Sequence, residues 1–236
     1  MLHRFEFLTI DVTRMSLKLK KDINYSYLFF GLLLVLLAMP LVVETRLLSS
    51  APLVQFVFCA MLIVSVWSLS DVVYVTIIGW GLAALALFIT TASMFTSAPP
   101  VIYLNFVLLA FYVFTVWLAL SDVLGGGEIN RNRIVGAICV YLLLGVLWGQ
   151  VYIITHHYLP DAFSGIGSTN KGAMFFECTY FSFVTLTTLG FGDIAPQRPI
   201  SQALVILEAC SGVMYLSVLI GRLMGEHLKV KGTSTD

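Results

Sequence analysis

One stretch of this chain has residue types and spacing suited to chemistry: Thr185-Leu186-Thr187-Thr188-Leu189-Gly190-Phe191-Gly192-Asp193. A cation entering a narrow passage must shed its water, and a row of backbone carbonyls pointing one way can replace that water at little cost. Such a ribbon needs alternate residues that tolerate positive φ, which glycine does cheaply. Gly190 and Gly192 supply the alternation, and Thr188 can add a hydroxyl at the inner end. The carbonyls of Thr188, Leu189, Gly190 and Phe191 are the expected ligands, and no resident cofactor is needed. Asp193, directly after the ribbon, can brace it and raise the local cation concentration.

Irregular backbone of this kind is tolerated at membrane depth only when buried or lining a water path. The composition supplies the membrane. Of 236 residues, 59% are hydrophobic and 11% charged, mean hydropathy is +0.94, and the formal net charge is zero. Val72 to Ser121 contains no Lys, Arg, Asp or Glu over 50 residues, which demands a hydrocarbon surround. Nothing in this charge balance supports nucleic-acid binding. Crossing about 30 Å of hydrocarbon takes about 20 apolar residues of helix. Six spans of that order run through 25–43, 52–69, 72–95, 101–121, 133–157 and 200–224. A seventh, 173–186, is too short to cross comfortably and leads into the Thr/Gly ribbon, so a re-entrant helix is expected there. The expected fold is therefore an all-α integral membrane protein with six transmembrane helices, its re-entrant helix and ribbon lying between the fifth and sixth.

The basic residues fix an expected orientation. With six crossings, ten Lys and Arg lie on the side of both termini, whereas Arg46, Lys171 and Arg198 lie opposite. That bias puts both termini in the cytoplasm of a cell membrane. The chain then divides into a cytoplasmic segment 1–24, a four-helix front half 25–121, a linker 122–132 containing Gly125-Gly126-Gly127, a module 133–224 and a short tail 225–236. Cys59, Cys139, Cys178 and Cys210 sit in apolar segments without Cys-x-x-Cys spacing and read as small buried hydrophobes.

The ribbon and its flanks resemble the potassium channel family, in its small bacterial form with one pore loop. That family's filter reads Thr-Val-Gly-Tyr-Gly-Asp, and this chain reads Thr188-Leu189-Gly190-Phe191-Gly192-Asp193. The resemblance covers roughly 133–224. It implies a homotetramer that passes K+ through a central pore in the bilayer. It makes 173–186 the pore helix, with Tyr180 and Phe181 in an aromatic cuff and Thr187 supporting the filter. It also makes Gly212 a hinge, Val213, Leu216 and Ile220 cavity-lining residues, and Met224 part of the inner mouth. Gly212 reads equally as a small residue for close helix packing. Glu208, an acid deep in the last helix, reads as a brace behind the filter or as a neutral, hydrogen-bonded structural residue.

Leu189 for Val and Phe191 for Tyr are departures, and Phe lacks the hydroxyl that ties the family's filter to its pore helix. They leave a less selective monovalent cation channel open, alongside a non-conducting membrane sensor or assembly subunit. Arg198 and Glu177 are a candidate pair near the outer mouth. A voltage sensor needs basic residues at every third position of a membrane helix, and the fourth span carries none. Steep voltage gating is not expected. Nor is an enzyme, because Asn105, Gln150, Glu177 and Glu208 are scattered without catalytic spacing.

Overall fold

The computed structural model describes residues 25–44, 73–95, 101–125, 130–168 and 171–233. The span 52–69, the segment 1–24, the Pro99-Pro100 break and Gly126-Gly127 lie outside the described residues. Within them the chain is helical: α1 (Tyr25–Glu44), α2 (Val73–Phe95), α3 (Val101–Leu124), α4 (Arg131–Tyr158), α5 (Lys171–Leu186) and α6 (Pro199–Thr233). Two short strands, β1 (Phe163–Ser164) and β2 (Ala195–Pro196), pair antiparallel with Phe163 opposite Pro196. Three helices of the described residues are long and apolar enough to cross a membrane, within α3, α4 and α6.

The central helix is α4, which packs against α1, α3, α5 and α6. Its start is fixed locally: Asn130 is extended (φ −104°, ψ 168°) and its side chain accepts a 2.9 Å bond from the Arg133 amide. An Asx residue in that position satisfies one of the helix's orphan donors. On α1 the buried residues Tyr25, Leu28, Leu32 and Val35 recur at three- and four-residue intervals, giving one stripe toward α4. Phe111, Tyr112, Leu118 and Ala119 of α3 complete the apolar seam, and Cys139 and Cys178 are buried in the core. Cys210 is exposed, contrary to its expected burial. It sits on α6, whose membrane-length span is only 11% buried against 50% for α4.

The start of α6 is built to a sharper specification. Pro199 occupies the first helical position, where a missing N–H costs nothing. The Arg198 amide donates to Ser201 Oγ at 3.1 Å, and Ser201 Oγ donates in turn to the Ala162 carbonyl at 2.7 Å. The buried Ser201 therefore ties the loop after α4 to the head of α6. At its other end α6 runs on past 224 to Thr233 as one helix, longer than the apolar pattern alone indicated.

Candidate ion-coordinating site

The ribbon grows out of the C-terminal end of α5, and the hydrogen bonds show how. The Leu189 amide reaches back to the Val184 carbonyl at 2.9 Å and the Thr188 amide to the Thr185 carbonyl at 2.9 Å. This is a left-handed helix cap, in which the residue after the helix takes positive φ so that two orphan carbonyls are satisfied. Thr188 fills that position with φ +61°. Glycine is the usual occupant, and a β-branched residue there is strained. The strain is tolerated where the surroundings over-determine the conformation, and here two backbone bonds and Thr187 do so, the latter through Oγ1 donating to the Phe183 carbonyl.

Beyond Thr188 the alternation continues: Gly190 has φ +58° and Gly192 φ +80°, while Leu189 and Phe191 are not among the positive-φ residues. Positive φ at every second residue is the backbone condition for consecutive carbonyls to face one way. No atom lies within 4 Å of where a Cβ would stand on Gly190 or Gly192, so conformation and not space requires glycine. Residues Thr187 to Asp193 are all exposed in the single chain. Leu189 is 60% and Phe191 65% exposed, a large apolar surface for residues beside two glycines.

Several groups hold the ribbon from behind. Tyr180 Oη donates to Asp193 Oδ2 at 2.8 Å, linking α5 to the residue after the ribbon. The hydroxyl that Phe191 lacks is thus matched by one on the helix. Phe181 is buried and packs edge-on against Phe163 and close to Tyr152. Tyr141 Oη donates to the Leu186 carbonyl at 3.2 Å, engaging the last residue of α5.

Glu208 is fully buried and accepts hydrogen bonds from Tyr152 Oη of α4 and Ser182 Oγ of α5. Ser182 Oγ also lies 2.7 Å from the Gly145 carbonyl, so one cluster joins α4, α5 and α6 behind the ribbon. Trp148 Nε1 to Ser211 Oγ (3.2 Å) and Tyr215 Oη to the Ala137 carbonyl (2.7 Å) extend the link between α4 and α6. Sequence reading singled out Glu208 but missed Tyr152, Ser182, Tyr141 and Ser211. The available signal was the need of a buried acid for donors on neighbouring apolar helices.

Gly212 is buried in an unbroken stretch of α6, and a Cβ there would stand 2.6 Å from the Leu186 carbonyl and 2.9 Å from its side chain. Of its two sequence readings, close packing has this direct contact. Val213, Leu216, Ile220 and Met224 fall on one exposed face of α6. The expected Glu177–Arg198 pair does not form. Glu177 accepts instead from Ser168 Oγ (2.6 Å) and its amide (3.3 Å), because both lie on the loop entering its own helix.

Comparison with known proteins falls on this same region. A family model described as ion channel matches residues 136–226. The chain is 35% identical over 92 residues to two-pore potassium channel 4 of Arabidopsis thaliana, covering 39% of this chain and 28% of that one. It is 30% identical over 103 residues to a voltage-gated potassium channel of Aeropyrum pernix, covering 44% and 31% respectively. Against probable potassium channel protein 2 of Methanocaldococcus jannaschii the identity is 34% over 77 residues, 31% of this chain and 20% of the other. The chain thus spans less than a third of the length of each of these relatives. No solved structure matches it significantly. Residues 136–226, which hold the capped helix, the ribbon and most of α6, are thus the part of this chain that is similar to ion channels, and the relatives it matches there are potassium channels by name.

Proposed function

We propose that the chain is one subunit of a homotetrameric, potassium-selective channel in a cell membrane, passing K+ passively along a central axis. The observation that carries this reading is the alternation of positive φ at Thr188, Gly190 and Gly192, on a ribbon capped onto a 16-residue helix. One ribbon surrounds nothing, and four related by a closed axis would form a ring of carbonyl layers around a dehydrated ion. The exposed Leu189 and Phe191 and the poorly buried α6 are then the surfaces that neighbouring subunits and lipid cover. In this reading α5 is the re-entrant pore helix, both termini are cytoplasmic, and Val213, Leu216, Ile220 and Met224 face the cavity. Tyr180, Phe181, Thr187, Asp193 and the Glu208 cluster hold the ribbon's shape. The front helices carry no basic residue in α1, α2 or α3, so opening is not steeply voltage-dependent.

A second reading, a channel of looser selectivity among monovalent cations, is favoured by Leu189 and Phe191. Purified protein in liposomes under a potassium gradient separates the two. Potassium flux with a reversal potential near the potassium equilibrium value supports the first, comparable sodium flux supports the second, and no flux of either ion rejects both.

A further inference from the structure

The ribbon has two ends, and the helix cap accounts for the one on α5. The end that returns to α6, residues 193–201, is gripped by the loop after α4. Phe163 and Ser164 of β1 pair with Pro196 and Ala195 of β2. The Ala162 carbonyl accepts from the Gln197 amide at 2.8 Å and from Ser201 Oγ at 2.7 Å. Ser164 Oγ donates to the Ala195 carbonyl at 3.3 Å and accepts from Gln197 Nε2 at 2.9 Å. Ala162, Phe163 and Ile194 are buried at this junction. The Phe163 ring packs edge-on against Tyr152 of α4 and Phe181 of α5, so the loop is anchored to the helices behind the ribbon.

Gly165, the residue after β1, makes the closest approach. Its φ is +85°, and a Cβ there would collide with the Asp193 carbonyl oxygen while standing 3.1 Å from that carbonyl's carbon and from Ile194 Cα. These are backbone atoms, which cannot swing aside as the end of a side chain can. Asp193 is thereby held twice, its carboxylate by Tyr180 Oη of α5 and its main chain by the bare face of Gly165. Gly192 precedes it directly, so a shift of the Asp193 peptide passes to the Phe191 and Gly192 carbonyls. Two residues on, a Cβ at Gly167 would meet nothing within 4 Å. We infer that residues 162–165 form a strap that sets the position of the ribbon's far carbonyls, and that Gly165 is a positioning residue for ion discrimination. Carbonyls that replace a hydration shell tell cations apart by their number and placement, so whatever holds them sets the preference. The discrimination rests on the reading of the ribbon as an ion-coordinating site.

The test uses the full chain in liposomes and reads two quantities: hydrogen exchange of the peptide covering 189–196, and the potassium-to-sodium permeability ratio. Gly165→Ala is expected to speed exchange across that peptide and to lower the ratio about tenfold, a difference of about 1.4 kcal/mol between the two ions. Gly167→Ala, in the same loop, should leave both quantities as in the unmodified protein. Ser164→Ala removes two bonds of the strap and leaves its backbone free of strain. It should move both quantities in the same direction by less, and it decides the matter if Gly165→Ala does not fold. The inference is overturned if exchange in 189–196 stays unchanged in Gly165→Ala or, where that variant does not fold, in Ser164→Ala. It is overturned too if exchange rises while a selective protein keeps its ratio, or if Gly167→Ala acts as strongly as Gly165→Ala. Exchange is read without ion flux. Faster exchange in a protein that passes no ions sinks the channel reading and upholds the strap's grip on Asp193, whereas potassium selectivity with unchanged exchange sinks the strap alone.

Discussion

The two parts of this molecule are held together by different forces. Among the described residues of the front, α1 and α3 meet α4, and α2 meets α3, mainly through apolar side chains, with polar links from Gln150 Nε2 to the Asn105 carbonyl (3.2 Å) and at Tyr25. Its amide donates to Asn132 Oδ1 at 3.0 Å and its hydroxyl to Asp122, and its carbonyl receives the Cys139 thiol. In the back, α4, α5 and α6 are laced by side-chain hydrogen bonds at Glu208, Ser182, Tyr152, Tyr141, Trp148 and Tyr215. Hydrocarbon gives helices little reason to prefer each other over lipid, so directional bonds and close contacts must set their register. On the channel reading, a helix that only has to surround a pore can be packed loosely. A backbone ribbon that must aim several carbonyls at one point cannot. The density of directional bonds therefore tracks the precision required.

That contrast can be broken most easily at the ribbon. Gly190→Ala, where φ is +58° and space is open, forces left-handed backbone on an alanine at a cost of about 1–2 kcal/mol per subunit. Repeated around a ring, this should abolish potassium flux in liposomes and lower the unfolding temperature of the chain by only a few degrees. Next comes Gly212→Val, whose side chain would meet the Leu186 carbonyl. Overpacking of about 1–3 kcal/mol is expected, read as a lowered unfolding temperature and as loss of the assembled form in chemical cross-linking. Removing one donor from a buried acid is of similar or smaller size: Tyr152→Phe should cost about 1–3 kcal/mol, with the potassium-to-sodium permeability ratio falling alongside stability. Tyr180→Phe removes an exposed bond to Asp193 and should shift the reversal potential without changing unfolding. The smallest effect is expected in front. Tyr25→Phe loses its bond to Asp122, lowering stability by about 1 kcal/mol and leaving the reversal potential where it was. If Tyr25→Phe altered selectivity as much as Tyr180→Phe, the division between a packed front and a bonded back would fail.

Much of this was legible before any coordinates. The ribbon's glycines announced themselves because few other residues accept positive φ, and the apolar runs gave the helices α1 to α4 within a few residues. Thr188 was read for its hydroxyl, whereas its backbone conformation emerges only from the two hydrogen bonds that cap α5. Glu208 stood out as an acid in an apolar helix, yet its donors lie 26 and 56 residues away, and no local pattern ranks one serine or tyrosine above another. Glu177 was matched to the wrong partner for the opposite reason: a nearby serine outcompeted a more distant charge. The apolar span 200–224 agrees with the membrane-length stretch Pro199–Arg222, and the helix runs on to Thr233 because hydropathy measures where lipid stops and not where a helix does. The hold of Gly165 on Asp193 went unseen, since a strand pair of two residues leaves no periodic pattern to read.

The length of α6 has a mechanical meaning. At 35 residues and about 1.5 Å per residue it is a rod of roughly 50 Å, while a bilayer's hydrocarbon core is about 30 Å thick. If α6 spans a bilayer as proposed, several turns stand in water as a continuous handle. Near its middle the same rod bears on Leu186 through Gly212, one residue from the start of the ribbon. A torque applied by anything that grips the far end would be delivered to the foot of the ribbon without passing through a joint.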